Sequence, residues 1–194
     1  MARTKEQNER IRQNTRAKIR SATIKCFSEN GLASTTIQDL AATANISVGL
    51  LYRHYKTKEE MFDALVDEAI AGHERMIERI ESLPPSEAIS VLVGDIVDEL
   101  SKGFEFSQHM GLLIQKPVEK QKLANERLIM AIAKIIEQGQ EEKVFASGNP
   151  LQLAQFLVSV FQGLCSTQLL LKDRFILPTA AQIISFLEVE KNGK

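Results

Sequence analysis

The chain has 194 residues, 44% of them hydrophobic and 25% charged, which is enough apolar material for a full core in one domain or in a small domain attached to a larger one. No apolar run approaches the roughly 18 residues of a membrane span, and the start, MARTKEQNERIRQNTRAKIR, is polar where a secretory signal needs an apolar centre, so a cytoplasmic protein without membrane contact is expected. The net charge of -1 conceals an asymmetry: residues 1–58 carry 11 Lys and Arg against 4 Asp and Glu, and residues 59–194 carry 13 against 21. The first segment is a candidate polyanion-binding surface, because each base set on a phosphate releases condensed counterions.

Residues 1–13 have almost no apolar periodicity and read as a loose basic arm. Ala17, Ile19, Ala22, Ile24, Cys26 and Phe27 then give the first helix its apolar face, and Asn30-Gly31 supplies a stop. STTIQDLAATAN restarts a helix of about two turns, with Thr35 as N-cap, Gln38 closing a capping box, and Ile37, Leu40 and Ala41 on one face. Asn45 ends it, a residue type that tolerates the left-handed conformation, and Ser47 caps a third helix over 47–55. In that helix Ile46, Leu50 or Leu51, and Tyr55 form the buried stripe, leaving Val48, Gly49, Tyr52, Arg53 and His54 to face outward or sideways. A second capping box, Thr57 to Glu60, opens a fourth helix. Two short helices joined by a tight turn and braced by a third form a helix-turn-helix, and the basic charge around it points to DNA.

The stretch TTIQDLAATANISVGLLYRHYKTKEEMF resembles the N-terminal motif of the TetR (tetracycline-repressor-like) family of transcriptional regulators, above all through Leu51-Tyr52, His54-Tyr55 and Lys58-Glu59. The likeness covers about 50 residues, 15–65; the rest matches only in being helical. It implies that 47–55 is a recognition helix in the major groove, with Val48, Gly49 and Tyr52 facing base edges and Gln38 approaching from the second helix. Thr36, Ser47, Tyr52, His54, Lys56 and Lys58 would hold phosphates, and Arg53 would add to specificity. Asn45 stands where the family usually has Gly, Val48 where a polar residue is common, and Leu50 where Thr often adds a phosphate contact. Sparse base readout, with DNA shape supplying more of the specificity, is therefore expected.

Residues 58–194 read as an effector-binding and dimerisation domain behind a DNA-binding domain at 1–57. The fourth helix runs about six turns to Pro84-Pro85, and further helices fall at 86–102, 107–115, 118–140, 151–171 and 179–189, making about nine in an all-α fold. In 151–171, Leu153, Phe156, Leu157, Val160, Leu164 and Leu171 fill one face, extended by Phe161, Cys165 and Leu169. Ser159, Gly163 and Ser166 form a small-residue strip that, with Ile183 and Leu187, suggests a two-fold four-helix interface in a homodimer. Ile70, His73, Phe104, His109, Leu113, Phe161 and Gln162 are candidate contacts for a small hydrophobic or amphipathic effector.

Catalysis finds little support. His73-Glu74 begins H-E-x-x-H but position 77 is Ile, and there is neither a phosphate-binding glycine loop nor a nucleophile elbow, so no enzyme, metal or cofactor is expected. Cys26 and Cys165 read as small buried side chains. The combined expectation is a repressor that binds a pseudo-palindromic double-stranded operator as a dimer and is released by its effector. A helical interaction module without sequence-specific DNA binding is the alternative.

Overall fold

The computed structural model describes residues 5–115 and 119–188. These form α1 (Lys5–Ser34), α2 (Ile37–Thr43), α3 (Val48–Tyr52), α4 (Lys58–Glu81), α5 (Pro85–Ser101), α6 (Glu105–Gln115), α7 (Glu119–Glu141), α8 (Pro150–Leu171) and α9 (Ala180–Ile184), with 3-10 turns at Lys172–Arg174 and Ser185–Leu187. No strand occurs among the described residues. The expected start of the seventh helix at Val118, the expected end of the ninth at Val189, and residues 1–4 of the arm lie outside them.

Residues 5–13 are already helical, so most of the expected loose arm is helix, exposed from 5 to 14. The buried stripe of α1 is Ile19, Ala22, Thr23, Ile24, Cys26 and Phe27; Ala17, expected on it, is exposed. Gly31 interrupts the helix at φ 77, ψ 158, a conformation open essentially to glycine alone. The final helix is shorter than expected because its last turn tightens to 3-10 at Ser185–Leu187.

Two apolar clusters hold the molecule. One joins Ile19, Ile24, Cys26 and Phe27 of α1 to Leu40, Ala41 and Leu51, to Met61, Phe62, Leu65 and Val66 of α4, and to Leu112 and Leu113 of α6. The other gathers Ile80, Ile89, Leu92, Val93, Ile132, Ile136, Ala154, Leu157, Ile183 and Leu187. α4 enters both, the first with its N-terminal half and the second with its C-terminal end.

Along its flank α4 pairs with α7 through Asp67–Lys120, Glu74–Arg127 and Glu81–Lys134, a rung every seven residues on both helices. On the other side, Arg20 of α1 bonds Glu68 of α4 at 2.8 Å and also pairs with Glu105 of α6. A buried polar link ties α5, α6 and α8: the Ser107 hydroxyl donates to Gln168 at 2.5 Å, and the Gln168 amide donates to the Leu100 carbonyl at 2.8 Å.

The buried face of α8 is Ala154, Leu157, Phe161, Cys165 and Gln168, with Leu153, Val160 and Leu164 of the expected face half-buried against the same core; Phe156, expected on it, is 53% exposed. Pro150–Arg174 also has the length and apolarity of a membrane-crossing segment, contrary to the expectation that no run would reach it. Only 28% of that window is buried within the chain, so α8 presents a broad outer face.

Candidate nucleic-acid interface

The turn between α2 and α3 is built by short polar side chains, each holding one backbone group. Thr36, not Thr35, is the N-cap of α2: its hydroxyl accepts from the Asp39 N–H at 3.1 Å, and the Asp39 carboxylate accepts from the Thr36 N–H at 2.9 Å. The Thr36 hydroxyl also donates to that carboxylate at 2.6 Å, and this bond, then the one from the Thr36 N–H, holds the Asp39 carboxyl below its ordinary pKa. The capping box is thus one residue later than expected. Thr35 is buried, and its hydroxyl is taken by the carbonyls of Cys26 and Gly31, while Gln38 is left exposed.

Asn45 takes φ 52, and the Ile46 N–H returns to the Ala41 carbonyl at 3.0 Å, closing the turn. Ser47 then caps α3 by accepting from the Leu50 N–H at 3.1 Å. The regular helix is Val48–Tyr52, shorter than the expected 47–55 because Arg53 and His54 close it with bonds to the Leu50 and Leu51 carbonyls. Leu51 is the fully buried anchor, and Leu50, Ile46 and Tyr55 are half-buried.

This anchoring leaves Thr36, Gln38, Ser47, Gly49, Tyr52, Arg53 and Lys56 exposed on one unit. Tyr52 is 52% exposed. Nothing lies within 4 Å of the position a Gly49 Cβ would take, so that backbone is open to close approach. Three expected contacts differ. Val48 is half-buried and packs on the first cluster. Lys58 donates to the carbonyls of Ala33 at 2.9 Å and Thr35 at 3.1 Å, closing the joint between α1 and α2. His54 is half-buried, and its pKa is lowered by burial and then by Arg16 and Arg12, two bases of α1 that sequence reading left out of the site. Their signal was present: 12, 16, 19 and 23 share one helical stripe. At the start of α4, the Thr57 hydroxyl accepts from the Glu60 N–H, but the Glu60 carboxylate takes the Lys56 N–H at 2.6 Å, one residue earlier than in a capping box.

The expected effector and dimer residues divide. His109 is buried, its Nε2 is 3.2 Å from the Leu65 carbonyl, and burial and then the Arg20 charge lower its pKa. His73, on the core face of α4, has a buried Nδ1 without a partner, and burial lowers its pKa. Leu113 and Phe161 are buried like His109, while Ile70 and His73 are half-buried at the edge of the interior. Phe104 and Gln162 are exposed and face away from it. Ser159, Gly163 and Ser166 lie on the outer face of α8 as expected, whereas Ile183 at 5% and Leu187 at 1% exposure are spent on the chain's own core. Cys26 and Cys165 are free and buried.

Residues 19–65 match the family of bacterial regulatory proteins, tetR family. The probable HTH-type transcriptional regulator ArpR of Pseudomonas putida is 34% identical over 101 residues, 50% of this chain and 46% of that protein; the chain spans under half the length of the curated relatives it matches. Among solved structures, the MbdR regulator from Azoarcus sp. CIB superposes with a TM-score of 0.72 over 90% of this chain and 100% of that one, at 21% identity. FadR from Bacillus subtilis in complex with stearoyl-CoA superposes at 0.64 over 88% and 94%, at 18% identity. The likeness to both structures is one of fold, and the kinship in sequence is carried by the helix-turn-helix: residues 19–65 are similar to the bacterial regulatory proteins of the tetR family.

Proposed function

We propose that the chain is a cytoplasmic, ligand-responsive transcriptional regulator, a repressor that binds a pseudo-palindromic DNA operator as a homodimer and is released by a small-molecule effector. The observation that carries the reading is the exposed set Thr36, Gln38, Ser47, Gly49, Tyr52, Arg53 and Lys56 on a capped helix-turn-helix within the matched residues. Hydroxyls, amide and bases there suit phosphate oxygens and base edges, and the open backbone at Gly49 suits close approach to DNA. His54, at the edge of the same surface, adds a donor to phosphate, and Val48 offers at most a flank of methyl to a thymine. Lys58 keeps one proton for a phosphate beyond its two internal bonds. On this reading 1–57 meets DNA, 58–194 governs it, and no catalytic step is involved.

The effector would lie among Ile70, His73, His109, Leu113 and Phe161, apolar surroundings with two neutral imidazoles, which suits a hydrophobic or amphipathic molecule. That FadR is found with stearoyl-CoA supports this class. The dimer would form over the outer face of α8, where Ser159, Gly163 and Ser166 admit a close helix and Phe156, stacked edge-on against Phe186 at 4.8 Å, adds apolar area. A plain helical interaction module is disfavoured by the match over 19–65.

The test is a binding titration of the full chain on duplexes selected from a random library, with sedimentation to read the mass of the complex. Selection of a two-fold sequence bound by a dimer supports the reading. A monomer, or equal affinity for selected and random duplexes, overturns it. Gly49→Ala meets no atom in the fold, so loss of operator binding at unchanged melting temperature would locate the DNA face at α3.

A further inference from the structure

We propose that the first turns of α1 belong to the DNA interface, with Arg12 and Arg16 clamping the phosphate backbone beside the C-terminal end of α3. The inference rests on the reading of the helix-turn-helix as DNA-binding and adds a surface that neither the TetR resemblance nor the capped turn includes. Three observations carry it.

The first is phase. Positions 12, 16, 19 and 23 recur at four- and three-residue steps, so Arg12 and Arg16 continue the stripe that Ile19 and Thr23 bury against the unit of α2, α3 and α4. The second is placement. Ile19, Arg20 and Thr23 line one small cleft with Tyr55 and Met61, so α1 passes the end of the recognition segment at that level. One and two turns earlier stand Arg16 and Arg12, about 5 and 10 Å further along the axis. They are near enough to His54 for their charges to disfavour its protonation. The third is freedom. Arg12 and Arg16 are exposed and without a carboxylate partner among the described residues, whereas Arg20, the next base along α1 on this side, is taken by Glu68 and Glu105.

Two guanidiniums and an imidazole thus converge on one strip at the edge of the reading surface. Two repelling guanidiniums without an internal anion, beside an imidazole whose protonation they disfavour, fit a row of phosphates, and duplex DNA docked on α3 supplies one. Glu9, the nearest acid on the stripe, is engaged with Gln13. Backbone contacts of this kind add affinity without reading sequence.

The experiment compares wild type with the double variant Arg12→Gln/Arg16→Gln, each as the full chain, titrated from low to physiological salt on a library-selected duplex and on a random-sequence duplex. Both affinities should fall by the same factor, preserving the ratio between duplexes, and the slope of log K against log salt should flatten by about two units, near 0.9 per phosphate. Arg12→Lys/Arg16→Lys should restore the slope, and Arg10→Gln, on the opposite face, should leave it unchanged. An unchanged slope in the double variant, with wild type binding normally, overturns the clamp and leaves the DNA reading standing. Equal losses from Arg10→Gln also overturn it, since the effect would then be diffuse attraction. If wild type shows no salt-dependent binding, the clamp and the DNA reading both fall.

Discussion

The unit from Ile19 to Leu65 and the body behind it are held together by different means. In the first, nearly every change of chain direction has its own polar device: the Thr36–Asp39 box, the left-handed Asn45, the Ser47 cap, and Lys58 across the joint of α1 and α2. In the body, apolar stripes do most of the holding, and one buried chain from Ser107 through Gln168 to the Leu100 carbonyl fixes register. On the proposed reading the first unit presents defined side chains to DNA, which needs each backbone turn specified, whereas a helical core needs mainly pattern and volume. The two are nonetheless welded, because Leu112 and Leu113 of α6 fill the first core and α4 serves both.

The largest test breaks the weld. Phe27→Ala should cost about 3–5 kcal/mol and Ile132→Ala about 2–5 kcal/mol, by lost burial and residual cavity. The chain has no Trp, and both its tyrosines, Tyr52 and Tyr55, sit in the first unit, so tyrosine fluorescence reports that unit alone while circular dichroism reports the whole. In urea the two probes should coincide for both variants. Separate midpoints would mean that the two cores are independent.

Next, Lys58→Met should lower stability by about 1–2 kcal/mol, because two carbonyls of the α1–α2 joint lose a charged donor, while Lys56→Met, on an exposed side chain, should change it little. Equal denaturant midpoints would return Lys58 to a purely phosphate-facing role. Smaller still, Thr36→Ala and Thr179→Ala each remove the hydroxyl of a capping box and should cost about 1 kcal/mol. Only Thr36→Ala should also weaken DNA binding, and a matching loss from Thr179→Ala would erase the distinction between unit and body.

The mildest effect is set by pH. Burial lowers the pKa of both His73 and His109, so the folded chain favours their neutral forms. The unfolded imidazoles, near 6.5, bind protons first as pH falls; the stabilisation is therefore complete above that value and lost below it. Chemical denaturation at pH 7.5 and 5.5 should show lower stability at 5.5, and His109→Gln should reduce the difference.

The helices, their order and the helix-turn-helix were legible in the sequence because apolar period and cap residues act locally. Asn45 and Ser47 stand as read. Errors arose where two residues of one type compete for a local role: Thr35 and Thr36 are adjacent, and the buried bonds of Thr35 to Cys26 and Gly31 decide which one caps. Others arose where tertiary packing chooses a face. α8 is apolar nearly all round, so its period does not say which side is core, and Ile183 and Leu187 fell to the inside. The two hydrogen bonds that Lys58 donates join residues more than 20 positions apart, beyond any local signal.

The rungs between α4 and α7 have a seven-residue period on both helices, and each exposed pair contributes only about 0–1 kcal/mol. Their weight lies in register. A slide of one helix past the other by a single turn parts all three pairs, and only a full heptad, about 10 Å, would bring two of them back together. Axial gliding is thus discouraged, while a small sideways swing, which stretches the rungs without exchanging partners, is tolerated. α4 behaves as a keyed shaft: it can pivot, or travel together with α7, and it resists slipping alone.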